Sequence, residues 1–80
     1  MRVLLFGRLR DVAGWRERVI EPGPPRLFDL RDLIAADDEA LALALVAPGV
    51  RAAVNRELVL GDVDLPAGAE VAFMPAMSGG

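Results

Sequence analysis

The group best suited to chemistry in this sequence is the final carboxyl group, at the end of the stretch AFMPAMSGG. Gly79 and Gly80 carry no side chains, so the end of the stretch has a small cross-section and accepts backbone angles that other residues avoid. Glycine is also the costliest residue to order, and chain ends lose order first. Two interpretations follow: a frayed, inert end, or an end that is itself the reactive site.

Side-chain catalysis is disfavoured by the composition. The sequence has no His, Cys, Tyr, Thr or Lys, and Ser78 carries its only side-chain hydroxyl. Ser78 would need a neighbouring base to become a nucleophile, and no His or Lys exists to serve as one. Metal sites built on His or Cys are excluded, and the acidic run at 37–39 lacks the loop spacing of a calcium site. We therefore predict no metal and no free-standing enzyme, and expect any chemistry to use the main chain.

The charge balance argues against nucleic acid as the main partner, because the net charge is −3 and the pI is about 4.7. Residues 1–36 carry seven Arg and five acidic residues, whereas residues 37–80 carry two Arg and seven acidic residues. The acidic second half would suit a basic docking surface. Equally, the charges would simply solvate two faces of a domain.

Membrane insertion is not indicated. The opening MRVLLFG is too short an apolar run for a signal peptide, and RLRD follows at once. The apolar stretch ALALALVAPGV falls short of the roughly 20 residues that span a bilayer and contains a proline. We expect a single domain with no membrane partner, placed in the cytoplasm.

Hydrophobic periodicity predicts one sheet packed against one helical layer. We predict strands at 2–6, 15–20, 50–55, 58–60 and 70–74, and helical segments at 8–14, 27–36 and 39–46. The second strand is expected to be half-buried and antiparallel to the first, while the first and last strands lie parallel at the centre. The Leu-Ala alternation at 39–46 also fits a strand, but its alanine content favours a helix.

In the second helical segment, the spacing of the apolar residues predicts a buried face. That face comprises Leu27, Leu30, Leu33 and Ile34. Asp37 is predicted to be the N-cap of the helix that follows.

Side chains alternate between the two sides of a strand, so the sequence of the two central strands predicts which residues form a core face and which form an outer face. The core face comprises Val3, Leu5, Val71 and Phe73. The outer face begins with a pair between Arg2 and Glu70 and becomes apolar toward Phe6 and Met74. An apolar patch beside the departing chain end predicts a docking site, unless a loop covers it.

Together these features resemble the ubiquitin-like sulfur-carrier family that includes the small subunit of molybdopterin synthase. The resemblance rests on VLLFGRLRDVAG near the start, DLRDLIA in the main helix, AAVNRELV in a hairpin and AGAEVAFMPAMSGG at the end. It implies an α+β fold of the ubiquitin-like β-grasp type, with a mixed sheet of about four to five strands and helices on one face. The domain would span residues 1–75, followed by a flexible tail at 76–80.

The resemblance implies chemistry at Gly80. In this family an E1-like adenylating and sulfurating enzyme uses ATP to adenylate the C-terminal carboxylate, and sulfur then replaces AMP. Gly80 would carry first AMP and then a thiocarboxylate (a 1-thioglycine), with no bound cofactor. The sulfur would pass to cyclic pyranopterin monophosphate inside the large subunit of molybdopterin synthase, in a two-plus-two heterotetramer. The chain would thus donate sulfur without being a catalyst alone, and the resulting dithiolene later holds molybdenum or tungsten.

The resemblance also assigns roles along the tail. Gly79 would keep the tail slim, Met77 and Ser78 would line the channel that it enters, and Pro75 would stiffen its departure point.

Partner docking, by the same resemblance, would use the outer face of the sheet. The expected contacts are Phe6, Leu58 and Met74, with Arg10 at the rim. The family usually starts its main helix with Ser or Thr, where this chain has Arg26. The later acidic residues are expected to be solvated, with contact to the partner as the alternative: Glu57, Asp62 and Asp64.

Three alternatives remain open at this point. Another sulfur carrier of the same fold would serve thiamine thiazole or cysteine synthesis and share the tail chemistry. An interaction module would have an inert tail. A protein modifier would form isopeptides through the same terminus.

Overall fold

The computed structural model describes residues 1–76 and confirms the predicted order of elements. They are β1 (Arg2–Leu5), α1 (Gly7–Ala13), β2 (Glu17–Val19), α2 (Leu27–Ile34), α3 (Glu39–Leu45), β3 (Arg51–Val54), β4 (Glu57–Val59) and β5 (Glu70–Met74). Element ends lie within two residues of the predicted ones. Among these helices, none is both long and apolar enough to cross a membrane.

The strands form one mixed sheet in the order β2-β1-β5-β3-β4. At its centre β1 runs parallel to β5, with Arg2 opposite Glu70. The other strand pairs of the sheet are antiparallel, including β1 with β2, as predicted. The hairpin between β3 and β4 turns at Asn55 and Arg56, which both have positive φ. This is the mixed sheet that the family resemblance implies.

The core lies between the sheet and the helices, which cover one of its faces. The residues predicted for the core face are all buried: Val3, Leu5, Val71 and Phe73. Facing them, the helices contribute buried Leu9, Leu27, Leu30, Ile34, Leu41 and Leu45. Within residues 1–76 the buried set contains no polar or charged residue. Burial of apolar surface therefore holds the helical layer against the sheet.

Two predictions at the helices are wrong by small amounts. Leu33 is 50% exposed, whereas Leu30 and Ile34 are buried. At 100° per residue, Leu33 lies at the edge of the stripe that faces the sheet, so it points partly to solvent. The N-cap of α3 is Asp38 rather than Asp37, because Asp38 Oδ1 accepts a hydrogen bond from the backbone N–H of the third helical residue at 3.0 Å.

The prediction of a half-buried second strand is also wrong. The three residues of β2 are exposed, with Val19 63% exposed. β2 is an edge strand that pairs with β1 alone in the sheet order, and the helical layer covers the central strands. The guanidinium of Arg18 lies 4.3 Å from the centroid of the Trp15 ring, so these two side chains shield each other at the edge.

The start of α2 is capped by a residue far along the chain. Arg26 precedes the helix and has no side-chain acceptor, but Asp62 Oδ1 accepts a hydrogen bond from the backbone N–H of Phe28 at 2.8 Å. Asp62 Oδ2 also accepts from Arg26 Nε at 2.9 Å. Asp64 reaches the same guanidinium at 2.7 Å but remains 87% exposed. The predicted solvation of Asp62 is therefore wrong, since this carboxylate supplies the missing cap.

Replacing the cap should destabilise the domain. We expect Asp62→Ala to lower the Tm by about 4–8 °C, because a lost N-cap leaves a backbone N–H at the helix start without its acceptor. Asp64→Ala is the matched control, since it removes only an exposed ion pair and should change the Tm by about 2 °C or less. Thermal unfolding followed by circular dichroism distinguishes the two. Equal losses would mean that Asp62 is not a cap.

The same cap should make stability depend on acid pH. The hydrogen bond from the Phe28 N–H, followed by that from Arg26, holds the pKa of Asp62 below its ordinary value of 3.8. The folded state thus favours the carboxylate, whose stabilisation is complete above the unfolded pKa and disappears as pH falls through the folded one. The Tm difference between the wild-type chain and Asp62→Ala should therefore shrink between about pH 5 and pH 2.

Candidate functional site

The chain end leaves the domain from the middle of the sheet. β5 is hydrogen-bonded to neighbours on both sides, and Pro75 and Ala76 follow it directly. At this end of the strand the Phe6 N–H donates to the Phe73 carbonyl at 3.1 Å, so the departing chain lies beside the start of α1. Four residues predicted to carry or guide the chemistry lie outside the described residues: Met77, Ser78, Gly79 and Gly80.

Pro75 and Ala76 form one wall of a cavity of about 740 Å³ between α1 and α3. Pro75 is half-buried, so the departure point is part of the packed domain. Apart from Arg8, the rest of the lining is apolar and includes Leu9, Val12, Ala40, Leu43 and Val50. Pro75, the predicted departure point, thus lies against the helical layer. Its role in stiffening the tail stays a prediction.

The register brings the predicted docking residues to one face of the sheet. Leu58 is opposite Ala53 in β3, and Ala53 is opposite Ala72 in β5. Met74 is two residues beyond Ala72, and strand alternation therefore places it on the same face. Phe6 has extended backbone angles and continues the alternation of β1. We call the set Phe6, Leu58 and Met74 the outer patch.

The outer patch is accessible in the described structure. Phe6 is 47% exposed, Leu58 is 62% exposed and Met74 is half-buried. Leu60, which the sequence interpretation did not select, is 95% exposed two residues after Leu58. It directly follows the last residue of β4, and the apolar LVL run is the sequence signal that could have marked it. Exposed large apolar side chains on one face of a sheet are typical of interaction surfaces.

The opposite end of the outer face is polar. Arg2 donates to Glu70 Oε1 at 3.2 Å and to Glu17 Oε1 at 3.1 Å, which confirms the predicted Arg2–Glu70 pair. Arg56 Nε also donates to Glu70, at 3.4 Å. The hydrogen bond from Arg2 lowers the pKa of Glu17, which favours the carboxylate form of that residue. The outer face therefore changes from charged to apolar along β1 and β5, toward the chain end.

Arg10 is placed differently from the outer patch. It belongs to α1, which packs on α3 and β5 and buries the neighbouring Leu9. Its side chain is 52% exposed, and its Nε lies 3.8 Å from Asp11 Oδ1. The structure thus assigns Arg10 to the helical layer, and its role as a rim contact stays a prediction.

The charge difference between the two halves of the sequence does not become two separate faces. Arg2 contacts Glu70, and Arg26 contacts both Asp62 and Asp64, so three ion pairs join the basic half to the acidic half. Where the halves meet, their charges neutralise one another. This favours the interpretation in which the charges solvate the domain over that of one continuous acidic surface.

Comparison with known proteins connects this geometry to a family. The ThiS family matches residues 3–80 of the chain. The chain is also 38% identical over 80 residues to the molybdopterin synthase sulfur carrier subunit of Escherichia coli (strain K12), an alignment that covers 100% of this chain and 99% of that protein.

Solved structures agree on the fold. The crystal structure of H. volcanii small archaeal modifier protein 1 matches with a TM-score of 0.81 and 25% identity, covering 96% of this chain and 97% of that one. The crystal structure of SAMP1 from Haloferax volcanii also matches with a TM-score of 0.81, at 28% identity, covering 100% and 98%. Both matches extend over nearly the whole domain, so the predicted ubiquitin-like β-grasp fold is confirmed.

Proposed function

This chain belongs to the ThiS family, and from that membership we propose that it is the sulfur-carrier subunit of a molybdopterin synthase. The observation that carries the proposal is the 38% identity to the Escherichia coli sulfur carrier subunit over the entire length of both proteins. The geometry of the site also supports the proposal, because the chain end leaves the domain from the central strand β5, beside the exposed outer patch.

The proposed chemistry takes place on the carboxyl group of Gly80. Attack of this carboxylate on ATP gives an acyl adenylate and releases pyrophosphate, which converts a poor electrophile into a good one. Attack of hydrosulfide on the acyl carbon then breaks the bond to AMP, and loss of the S–H proton leaves a thiocarboxylate on Gly80. Gly79 and Gly80 suit this cycle because they present no side chain to the narrow sites of two different enzymes.

The proposed partners are an E1-like enzyme that performs the activation and a large synthase subunit that receives the tail. In the complex of two small and two large subunits, each chain would deliver sulfur to cyclic pyranopterin monophosphate. Docking by the outer patch would leave residues 77–80 free to enter the partner, and extended they would reach about 14 Å beyond Ala76. Pro75 would limit the conformational entropy lost when the tail is inserted.

The outer patch gives a direct test of docking. We expect Leu58→Asp to weaken binding to the large subunit by about 10- to 100-fold, because it places a charge where apolar area is buried. The measurement is isothermal titration calorimetry with the purified large subunit. Leu33→Asp is the matched control, since Leu33 is 50% exposed on the helical layer, and it should bind as the wild-type chain does. If only Leu33→Asp lost binding, the large subunit would bind the helical layer and not the outer patch.

Reconstitution with defined acceptors tests the branch of sulfur metabolism. The thiocarboxylated chain is mixed with cyclic pyranopterin monophosphate and a molybdopterin synthase large subunit, or with a thiazole synthase or a cysteine synthase and their substrates. The proposal predicts that the dithiolene product forms and that the other two mixtures receive no sulfur. Transfer only to a thiazole or to cysteine would replace the molybdopterin assignment by one of the alternative carriers.

A second candidate function is supported by one structural neighbour, which is described as a small archaeal modifier protein. A modifier would end on an isopeptide between Gly80 and a lysine of another protein, and not on a small-molecule acceptor. Peptide mass spectrometry of cells that make the chain would detect such linkages. A set of conjugates that depends on Gly80 would favour this second function, whereas their absence alongside a thiocarboxylate would favour the carrier.

A further inference from the structure

Two glycines enclose the point where the chain leaves the domain. Gly7 is the first residue of α1, and Gly49 precedes β3; both have positive φ, +54° and +86°. A Cβ built on Gly7 would lie 2.9 Å from Cγ of Pro75. One built on Gly49 would lie 2.7 Å from Cβ of Ala76 and 3.5 Å from its Cα. Neither position has room for a side chain while the chain end takes this course.

Positive φ alone does not explain these two contacts. Gly68 has φ +71°, close to the values of Gly7 and Gly49, yet a Cβ there would meet nothing within 4 Å. It is needed only for its backbone conformation. Gly7 and Gly49 are constrained twice, by backbone conformation and by the chain that passes them. Gly7 begins α1 and Gly49 lies in the turn before β3, and they face two successive residues of the departing chain, Pro75 and Ala76.

We propose that Gly7 and Gly49 form a notch that positions the tail for activation and sulfur transfer, an inference that rests on the proposed carrier function. The chain neighbours of the notch explain how it would act. Gly7 directly follows Phe6, and Pro75 directly follows Met74. The contact between Gly7 and Pro75 therefore lies next in the chain to two residues of the outer patch. The notch thus fixes where the tail begins relative to the surface that docks.

The effect at the reacting atom follows from distance along the chain. Residues 77–80 extend at most about 14 Å beyond Ala76. A displacement of Ala76 of even about 1 Å therefore changes where the tail enters its partner, and a misplacement of that size can reduce a reaction about 100-fold. Gly7 and Gly49 are positioning residues in this account, because they contact neither the nucleotide nor the sulfur.

The test compares Gly7→Ala and Gly49→Ala with Gly68→Ala. All three force an L side chain into positive φ, which should lower the Tm by about 5 °C, and Gly7→Ala and Gly49→Ala should lose somewhat more because their new methyl groups also meet Pro75 and Ala76. The rate of thiocarboxylate formation with the E1-like enzyme, ATP and a sulfur donor should differ. We expect kcat/KM to fall about 10- to 100-fold for the first two variants and to stay within about twofold of wild type for Gly68→Ala.

A rescue variant separates positioning from loss of stability. Ala76→Gly removes the Cβ that a new methyl at Gly49 would meet at 2.7 Å, but it leaves the positive φ of residue 49 unchanged. The double variant Gly49→Ala with Ala76→Gly should therefore recover at least about tenfold in kcat/KM over Gly49→Ala, with the Tm still lowered. Pro75→Ala removes the ring that a new methyl at Gly7 would meet, and Pro75→Ala alone is the reference for that double variant because the loss of the proline has a cost of its own. The test thus does not depend on one variant folding.

The outcomes distinguish the notch from the carrier function. Rates for Gly7→Ala and Gly49→Ala equal to that of Gly68→Ala would overturn the notch and leave the carrier function standing. A failure of both rescue variants to recover any rate would also overturn the notch. Failure of the wild-type chain itself to acquire a thiocarboxylate would overturn the carrier function, and the notch with it.

Discussion

One alanine added after Gly80 is expected to abolish thiocarboxylate formation on this chain. The added residue converts the carboxyl group of Gly80 into an amide, which cannot form an acyl adenylate, and it moves the free carboxylate about 3.5 Å further along the tail. The new terminus also carries a methyl group where two glycines suit a narrow channel. The measurement is the intact mass of the extended chain after incubation with the E1-like enzyme, ATP and a sulfur donor.

The matched control for the extended chain is a chain whose extension has been removed, so that it ends at Gly80 again. A fusion protein cut directly after Gly80 regenerates the free glycine carboxylate and should again acquire sulfur at the wild-type rate. If the extended chain accepts sulfur as readily as the wild-type chain, the reactive group is not the carboxyl of Gly80. An inert interaction module would then become the better interpretation.

The largest expected effect on stability is that of Leu30→Ala in α2. Leu30 is 0% exposed beneath the sheet, and truncating such a leucine costs about 2–5 kcal/mol through lost burial and the cavity left behind. A domain of this size has a free energy of unfolding of only about 4–12 kcal/mol, so the variant should lose a large part of it. Urea denaturation would show a lower midpoint with a similar slope.

Leu33→Ala is the control for that substitution because it makes the same chemical change in the same helix. Leu33 is 50% exposed, so we expect its truncation to change the free energy of unfolding by about 0.5 kcal/mol or less. Comparable losses at the two positions would mean that α2 is rotated relative to the sheet. The pair therefore tests the orientation of the helix as well as its contribution to stability.

The sheet was the part of the fold most accessible to sequence reasoning. A strand has a side-chain period of two, so once β1 and β5 are paired, the core residues Val3 and Val71 follow from alternation alone. The same alternation placed Phe6 and Met74 on the outer face beside the departing chain. The tail chemistry came from the family resemblance, because two glycines in isolation do not distinguish a reactive end from a frayed one.

The features that sequence reasoning missed depend on contacts between distant parts of the chain. Asp62 caps α2 although it lies 34 residues after Phe28, and no residue near Arg26 in the sequence indicates this contact. Gly49 reads locally as an ordinary turn residue after a proline, and only the packed structure shows that its missing Cβ makes room for Ala76. Such features follow from the approach of two loops, which periodicity does not encode.

The measurement that tests the carrier function most directly is the intact mass of the chain, purified from the cells that make it, at isotopic resolution. The carrier function predicts a species heavier by about 16 Da, the difference between sulfur and oxygen, which fragmentation assigns to Gly80. It also predicts that the E1-like enzyme, ATP and a sulfur donor increase this species in vitro. Absence of the heavier species under both conditions would contradict the account, and Gly79 and Gly80 would then be an inert chain end.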